Sequence, residues 1–244
     1  MAKYRQVADQ LKADIASGEY GPGAQLPTEP ELGERFGVSR TTVREAIGTL
    51  SDEGLVTIEH GRGVFVTPPK VVKRLDSRDR LSRARRQENK GAFLAEADKQ
   101  GFTPSSSVRI AFEPAQDFGE VLGIDPEDEV CVRDRVQRAD GKPVQLAVSR
   151  LPREITRGTV LEEVTTGPGG AYARIEEMGY ELTHFEEIVG GGMATAAERA
   201  MLGEQVRAVL RVRRIAYAGE KAVEVNDMVM PADQYELRYS FPAD

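Results

Sequence analysis

The sequence predicts an α+β protein built from two units. Near the N-terminus, three successive segments have apolar residues at helical spacing, and a segment that alternates apolar and polar residues follows them. Beyond residue 91, long alternating segments joined by glycine turns predict a mostly antiparallel sheet with helices packed on one side. A chain of 244 residues, 40% of them hydrophobic and 30% charged, is long enough for two modest cores.

Three helices are predicted in the first unit. The first helix is marked by an apolar stripe that consists of Tyr4, Val7, Ala8, Leu11 and Ile15. The segment SGEYGPG ends this helix. In the second helix Thr28 is placed as the N-cap with Glu31 as its capping-box partner, and Gly37 ends the helix. Ser39 can cap the third helix, and Gly54 ends it. Its inward residues are Val43, Ala46, Ile47 and Leu50.

A two-stranded ribbon is predicted directly after these helices. The segment LVTIEHGRGVFV alternates apolar and polar residues on both sides of HGRG, which is typical of a hairpin with a glycine turn. Three helices followed by a hairpin predict a winged helix-turn-helix over residues 1–68. Pro68 and Pro69 end the ribbon, and residues 69–90 are predicted to be a basic linker.

The third helix presents polar and cationic residues on its outer side. An α-helix fits the major groove of DNA, where Arg donates two hydrogen bonds to guanine or contacts phosphate. The glycines of the hairpin turn would let the backbone approach a phosphate, and Arg62 could enter a narrow minor groove. The candidate DNA-binding residues are Ser39, Arg40, Thr41, Thr42, Arg44, His60, Gly61 and Arg62. The alternatives are solvated helix charges paired with Glu45 and Glu34, and a plain hairpin turn.

Charge is distributed unevenly along the chain, whose net charge is −7. Residues 1–70 carry 8 Lys and Arg against 10 Asp and Glu, residues 71–90 carry 8 against 3, and residues 91–244 carry 17 against 27. Such a chain would bind DNA through a few placed cations rather than through a basic surface. The acidic remainder is expected to perform another task.

The sequence lacks the signals that mark several other classes of protein. No apolar run is long enough to span a bilayer, and the first residues do not resemble a signal peptide, so a cytoplasmic protein is expected. Cys131 has no disulfide partner, and His60 and His184 form no metal-ligand cluster with it. We expect no cofactor and no metal. His184 is interpreted as a partly buried structural residue, and the GGG segment near residue 191 as a loop before a helix.

The N-terminal unit resembles a known family. The segment GAQLPTEPELGERFGVSRTTVREAIGTLSDEGLVTIEHGRGVFV is similar to the DNA-binding domain of GntR-type transcriptional regulators. The resemblance implies that Arg40, Thr41, Thr42 and Arg44 meet the operator, and that the hairpin tip at His60 and Gly61 abuts the minor groove. Many members carry Arg where this chain has Pro30, which puts one DNA contact in doubt.

Residues 91–244 resemble the UTRA domain of the HutC branch of that family, an effector-sensing domain with a chorismate-lyase-like α+β fold. The resemblance rests on VCVRDRVQRADGKPVQLAVSRLP, TGPGGAYARIEEMGY and VEVNDMVMPADQYELRYSF. It implies a homodimer joined through these domains and a small-molecule pocket whose occupancy alters the affinity for DNA.

A candidate effector site follows from strand spacing and from that resemblance. Arg133 and Arg135 share one face of a strand, about 7 Å apart, where they could clamp a phosphate or carboxylate. Thr165 and Thr166 precede a glycine run and a helix start, which favours an anion. The resemblance adds further candidates: Gln145, Ser149, Tyr172, Glu224, Asn226 and Tyr239. For the two arginines, the alternative is cross-strand pairing with acidic residues. For the two threonines it is a plain loop and helix cap. The other polar candidates could be surface residues of strands, and the two tyrosines could belong to the core.

The two units together predict a sequence-specific transcriptional regulator, a repressor whose affinity for a pseudo-palindromic operator an effector relieves. An enzyme is the first alternative, although no nucleophile–base pair or paired catalytic acids stand out. The second is an architectural DNA-binding dimer without a ligand. A turnover assay and thermal melting against metabolites would separate these hypotheses.

Overall fold

The computed structural model describes residues 2–67, 72–74, 92–167 and 169–240, and every structural statement below refers to these residues. The chain divides into two compact units, residues 1–70 and 71–244. Of the predicted linker, residues 69–71 and 75–90 lie outside the described residues. Val72–Arg74 forms a strand of the second unit, so this piece does not act as a free connector.

The first unit contains the predicted helices. They are α1 (Lys3–Ser17), α2 (Glu29–Phe36) and α3 (Arg40–Asp52). Thr28 is the N-cap of α2, where the Glu31 carboxylate accepts hydrogen bonds from the Thr28 backbone N–H at 2.7 Å and from its hydroxyl at 2.8 Å. Ser39 is the N-cap of α3. Both predicted caps are confirmed.

One apolar core joins the three helices to the predicted hairpin. Strands β1 (Val56–Glu59) and β2 (Gly63–Val66) pair antiparallel, with Glu59 opposite Gly63 beside the turn. The core takes one side of each helix and the inner ends of the hairpin: Val7, Ala8, Leu11, Leu26, Leu32, Val43, Ala46, Ile47, Leu50, Val56 and Val66. Three helices and a ribbon therefore form a winged helix-turn-helix, as predicted.

The second unit is organised around a six-stranded antiparallel sheet. Its strands are β4 (Pro104–Pro114), β5 (Glu129–Ala139), β6 (Lys142–Pro152), β7 (His184–Met193), β8 (Ala208–Ala218) and β9 (Lys221–Pro231). Their spatial order is β4-β5-β6-β9-β8-β7. The two predicted hairpins, β5–β6 and β8–β9, are confirmed. The prediction of a loop at Gly190–Gly192 was wrong, because these glycines lie within the edge strand β7 and pair with β8. The prediction that His184 is partly buried was also wrong, because this residue begins β7 and is exposed.

Helices pack on both faces of the sheet, so the prediction of helices on one side was wrong. One face packs against α4 (Ala92–Lys99), α6 (Arg153–Thr156) and α7 (Gly170–Glu177). Strand β3 (Val72–Arg74) pairs parallel with β10 (Tyr235–Leu237) over the same face. The other face packs against α5 (Gly119–Leu122) and α8 (Ala196–Leu202). Within the described residues, no helix is both long and apolar enough to cross a lipid bilayer.

Candidate functional sites

Helix α3 separates its residues cleanly into an inner and an outer side. The four predicted inward residues are buried, whereas Arg40, Thr41 and Arg44 are exposed. Val43 and Leu50 have no exposed surface, so the helix is held by its apolar side. The outer residues therefore contribute little to the core and are available to contact a partner.

The first turn of α3 uses two of the candidate residues for capping. The Ser39 hydroxyl oxygen accepts a hydrogen bond from the Thr42 backbone N–H at 3.2 Å. The hydroxyls of Ser39 and Thr42 also lie 3.0 Å apart, within hydrogen-bond distance. Ser39 thus has a structural role at the helix start, because a buried or unpaired N–H at this end would weaken the helix.

Arg44 is held by a glutamate of the preceding helix. Its Nε and Nη2 atoms donate to the two carboxylate oxygens of Glu29, at 3.0 and 2.8 Å. The hydrogen bonds and charge of Arg44 lower the pKa of Glu29, and the same hydrogen bonds raise the pKa of Arg44. The alternative hypothesis that Arg44 pairs with Glu45 or Glu34 was wrong, because its partner is Glu29.

The hairpin tip presents the other three candidates, His60, Gly61 and Arg62, all exposed. Arg62 forms an ion pair with Glu59, and its guanidinium lies 5.7 Å from the centre of the Phe65 ring. Its carbonyl oxygen accepts a hydrogen bond from Gln25 Nε2 at 3.0 Å. These contacts fix the shape of the turn while leaving 74% of the Arg62 side chain exposed.

In the second unit, strand register aligns five polar side chains in one row across the sheet. Arg133 lies opposite Ser149, Ser149 opposite Asn226, Asn226 opposite Arg214, and Arg214 opposite Glu187. Paired residues of neighbouring strands share a face, so all five lie on the face beneath α7 and β3. We call these five residues the polar row. Apolar clusters flank it on both sides.

Arg135 joins the polar row from the next position of the same face. Its guanidinium donates to the Ser149 hydroxyl and to Asn226 Oδ1 at 3.2 Å, and its Nε donates to the Ala147 carbonyl at 3.4 Å. Burial is the main factor that lowers its pKa, against the opposing charge of Glu224. Arg135, Ser149 and Asn226 are thus brought together as a set of candidate ligand contacts.

Arg133 faces the same way but holds a loop instead. It donates to the backbone carbonyls of Leu161, Glu163 and Val164, the last at 3.3 Å. Burial lowers its pKa, and the charge of Arg135 adds to that effect. In this conformation the two arginines therefore do not form a joint clamp, and Arg133 connects the polar row to the segment before α7.

Glu187 closes the polar row at the β7 edge within a buried ion cluster. It pairs with Arg214 at 2.6 Å and with Arg74 of β3, and it accepts a hydrogen bond from the Tyr239 hydroxyl at 2.8 Å. Burial alone would raise the pKa of Glu187, but the charges of Arg214 and Arg74 outweigh it and lower the pKa. Burial and the bond to Glu187 raise the pKa of Tyr239 to about 12.

Glu224 and Tyr172 lie beside the polar row. Glu224 is buried on β9, two residues before Asn226, and its charge acts on both Arg133 and Arg135. Burial, with the charge of Glu224, raises the pKa of the Tyr172 hydroxyl. The Tyr172 ring also contacts Phe185, with ring centres 5.2 Å apart, so the residue is both part of the core and a polar neighbour of the row.

The remaining effector candidates lie apart from the polar row. Gln145 bonds to Gln137 at 2.7 Å and accepts from the Tyr235 hydroxyl at 2.9 Å, which ties β6 to β10. Thr165 is exposed, and its hydroxyl oxygen accepts the Gly167 N–H at 3.3 Å. Thr166 is partly buried in the same segment.

Sequence reasoning missed four residues of these sites: Glu29, Arg74, Glu187 and Arg214. Glu29 stands 15 positions before Arg44, and Glu187 stands 113 positions after Arg74. Such partners become visible only when helix packing and strand register are known. The one local signal was the adjacent pair Arg213 and Arg214, which must face opposite sides of a strand.

Comparison with known proteins agrees with both units. Residues 3–66 match the family described as bacterial regulatory proteins, gntR family, and residues 99–236 match the UTRA domain. The repressor NagR of Bacillus subtilis is 29% identical over 88% of this chain and 84% of its own. The mannosyl-D-glycerate transport/metabolism system repressor MngR of Escherichia coli is 34% identical over 61% of this chain and 58% of its own.

A solved structure extends the agreement to the whole fold. The crystal structure of a GntR-family transcriptional regulator superposes with a TM-score of 0.61 at 28% identity, covering 100% of this chain and 99% of the other. The similarity in fold therefore spans both units. The chain belongs to the GntR family of bacterial regulatory proteins, as a DNA-binding transcriptional regulator whose second unit is a UTRA effector-binding domain of the kind found in HutC-type members.

Proposed function

We propose that the protein is a cytoplasmic repressor, without enzymatic activity, that binds a pseudo-palindromic operator as a homodimer and releases it when a small anionic effector binds the second unit. The observation that carries the proposal is the outer side of α3, which is polar, cationic and exposed opposite a fully buried inner side. The names of NagR and MngR, both repressors, support the direction of control.

On the DNA, α3 enters the major groove and the hairpin tip abuts the minor groove. Arg40, Thr41 and Arg44 face the groove. When the Ser39 hydroxyl donates to the Thr42 hydroxyl, the Thr42 hydroxyl can donate its own hydrogen to a phosphate oxygen of the DNA. His60, Gly61 and Arg62 contact the minor groove, where Arg is favoured by the negative potential. Two copies related by a twofold axis would place their α3 helices about 34 Å apart on successive grooves.

The effector is proposed to be anionic because positive charge exceeds negative charge around the polar row. Four guanidinium groups meet two carboxylates there. Their residues are Arg74, Arg133, Arg135, Arg214, Glu187 and Glu224. Buried charge without a counterion is costly, so an anion would be bound favourably. The donors of Arg135, Ser149 and Asn226 are the proposed contacts of its charged group, with Tyr172, Glu224 and Tyr239 nearby and Thr165, Thr166 and Gln145 at the margin.

The second unit is also the proposed dimer contact, and the residues of the predicted linker other than β3 are proposed to connect it to the first unit. Effector binding would favour a dimer geometry that no longer matches the groove spacing. To reverse the occupancy of an operator, the effector must bind the released geometry about 5 kcal/mol more tightly. Sedimentation of the full chain tests the dimer, and a monomer at micromolar concentration would contradict it.

The DNA contact is tested by Arg44→Ala. Duplexes that the full chain selects from a random-sequence library serve as the operator probe. The variant should bind the selected duplex more weakly by about 1 to 3 kcal/mol for each half-site, because one base contact is lost in each. Arg5→Ala is the matched control, because Arg5 is an exposed arginine of α1 outside the candidate set. Equal affinity of Arg44→Ala and the control for the selected duplex would remove Arg44 from the interface.

The effector site is tested by thermal melting against a panel of phosphorylated and carboxylated metabolites. A ligand of the folded protein raises the melting temperature of the wild type. Arg135→Met should abolish that rise because it removes the donor nearest Ser149 and Asn226. Arg109→Met is the control, since Arg109 is 74% exposed and pairs with Asp134 on the other face of the sheet. A shift retained in Arg135→Met would place the effector elsewhere.

A further inference from the structure

The exposed pair between Arg44 and Glu29 has a geometry that leaves a defined part of the guanidinium unused. An arginine carries five N–H donors in a planar fork. Glu29 takes donors on Nε and Nη2, the side edge of that fork, with both contacts at 3.0 Å or less. One N–H on Nη2 and two on Nη1 remain, and one from each of these nitrogens points out of the end of the fork. Because 74% of the Arg44 side chain is exposed, this end is accessible to a partner.

Glu29 is itself fixed by its surroundings. It is the first residue of α2, directly after the N-cap Thr28, whose backbone and hydroxyl are bonded to Glu31. Leu32 of α2 and Val43 of α3 are buried in one cluster, which sets the distance between the two helices. The carboxylate thus holds the guanidinium in place before DNA arrives, which reduces the entropy lost on binding.

The charge of Glu29 discriminates between the two kinds of group that Arg44 could meet. A phosphate is an anion, so it is repelled by the carboxylate and gains less from an arginine that is already neutralised. The O6 and N7 atoms of guanine are neutral acceptors that match the two parallel donors at the end of the fork. The ion pair therefore weakens a contact of Arg44 with phosphate more than a contact with guanine.

Arg40 provides a contrast on the same helix. Among the described residues it has no carboxylate within ion-pair distance, although the charge of Arg40 contributes to lowering the pKa of Glu29. It lies at the first position of α3 and is exposed. An arginine without a partner at a helix start suits a phosphate, so the two arginines are equipped for different contacts.

We propose that Glu29 is a specificity-determining residue, which holds Arg44 so that the free end of its guanidinium reads guanine in the major groove instead of gripping a phosphate. The proposal rests on the contact between Arg44 and the operator stated above. It assigns to an acidic residue on the second helix a role in base selection, even though the carboxylate itself touches no base.

The test compares base selection by the full-length wild type with that by two variants that each remove one negative charge. Glu29→Gln alters the partner of Arg44. Glu53→Gln is the matched control, because Glu53 is also exposed and ion-paired, but with Lys12 at 2.7 Å. Each protein selects duplexes from the same random-sequence library, and its affinity is then measured for the wild-type selected duplex and for a shuffled duplex at several salt concentrations.

We expect Glu29→Gln to lose about tenfold in preference for guanine at one position of each half-site, the value of one bidentate base contact. Its affinity for the shuffled duplex should rise, and its salt dependence should steepen by about one released counterion per subunit, because Arg44 becomes free to contact phosphate. Glu53→Gln should keep the guanine preference of the wild type. Glu29→Asp, which keeps the charge on a shorter side chain, should lose guanine preference without steeper salt dependence.

Arg44→Ala separates the two proposals. If it weakens guanine selection while Glu29→Gln matches Glu53→Gln, the contact of Arg44 stands and the role of Glu29 is overturned. If Arg44→Ala selects the same duplexes as the wild type, both the contact and the role of Glu29 are overturned. Loss of guanine preference in both Glu29 variants and in Arg44→Ala, with the control unchanged, supports the role of Glu29.

Discussion

The two units use glutamate and arginine in opposite ways. In the first unit, the Glu29–Arg44 pair lies at the surface, with 31% and 74% of the two side chains exposed. In the second unit, Glu187 meets Arg74 and Arg214 in an environment where the three side chains are 8%, 2% and 4% exposed. The same type of ion pair therefore occurs in two dielectric environments, and burial determines how much it contributes to stability.

An exposed ion pair can be opened at little cost, whereas a buried one cannot. Surface pairs contribute about 0 to 1 kcal/mol because water and salt screen them. Removing one partner of a buried pair leaves a charge without a counterion, at a cost of several kcal/mol. The first arrangement leaves most of the Arg44 side chain in water, where a partner can reach it, and the second holds β3 against the edge strand β7.

The largest expected effect is that of Glu187→Gln. The substitution leaves Arg74 and Arg214 buried without their shared carboxylate, so the free energy of unfolding should fall by about 3 to 5 kcal/mol. Urea unfolding of the full chain measures it. Glu186→Gln is the control, because Glu186 is the neighbouring residue of β7 on the opposite, exposed side. Equal stability of the two variants would show that the buried cluster contributes no more than a surface pair.

A pH dependence of the same cluster is the next expected effect. The pKa of Glu187 lies below its ordinary value of 4.5 because Arg214 and Arg74 outweigh burial. A lowered pKa stabilises the fold fully above the ordinary value, and that stability is lost as the pH falls toward the folded value. The stability difference between wild type and Glu187→Gln should therefore shrink below about pH 4.5. A constant difference down to about pH 3 would contradict it.

Ser39→Ala tests whether local capping matters more than ion pairing in the first unit. The substitution removes the oxygen that accepts the Thr42 N–H, so it should cost about 1 kcal/mol of stability. Circular dichroism during thermal unfolding measures the loss of helix. Thr49→Ala serves as a comparison, because the Thr49 hydroxyl bonds within the body of α3 to the Glu45 carbonyl. An unchanged midpoint for Ser39→Ala would mean that the cap is dispensable.

The smallest expected effect on stability is that of Glu29→Gln. It should cost less than about 1 kcal/mol, because the pair is exposed, and the loss should disappear in about 1 M salt, where surface charges are screened. Unfolding at low and high salt measures both. A loss comparable to that of Glu187→Gln would remove the contrast between the units and assign the Glu29–Arg44 pair to the structure of the first unit rather than to DNA selection.

The fold of the first unit could be predicted almost entirely from local signals. Thr28 and Ser39 mark helix starts, and the apolar residues of α3 recur at the spacing of one helix face. Capping and amphipathicity act over a few residues, so the chain order contains them. The outer position of Arg40 and Arg44 follows from the same periodicity, which is why the candidate DNA-binding residues could be named.

The sheet of the second unit was predicted in part. Its two long hairpins have glycine turns between alternating segments, but the edge strand β7 includes Gly190–Gly192, which read as a loop. Gly has low intrinsic preference for strands, and pairing with β8 overrides that preference. Strand β3 was missed because its partner β10 lies about 160 positions further along the chain.

By itself, the amino-acid sequence determined the helices, the caps, the hairpins and the side of α3 on which the cations stand. Only the tertiary structure decided which charges meet. Glu29 reaches Arg44 through the packing of two helices, and Arg133, Asn226 and Glu187 share one row through strand register. The physical reason is that helix and turn signals are local, whereas partners distant along the chain are selected by the packing of the whole unit.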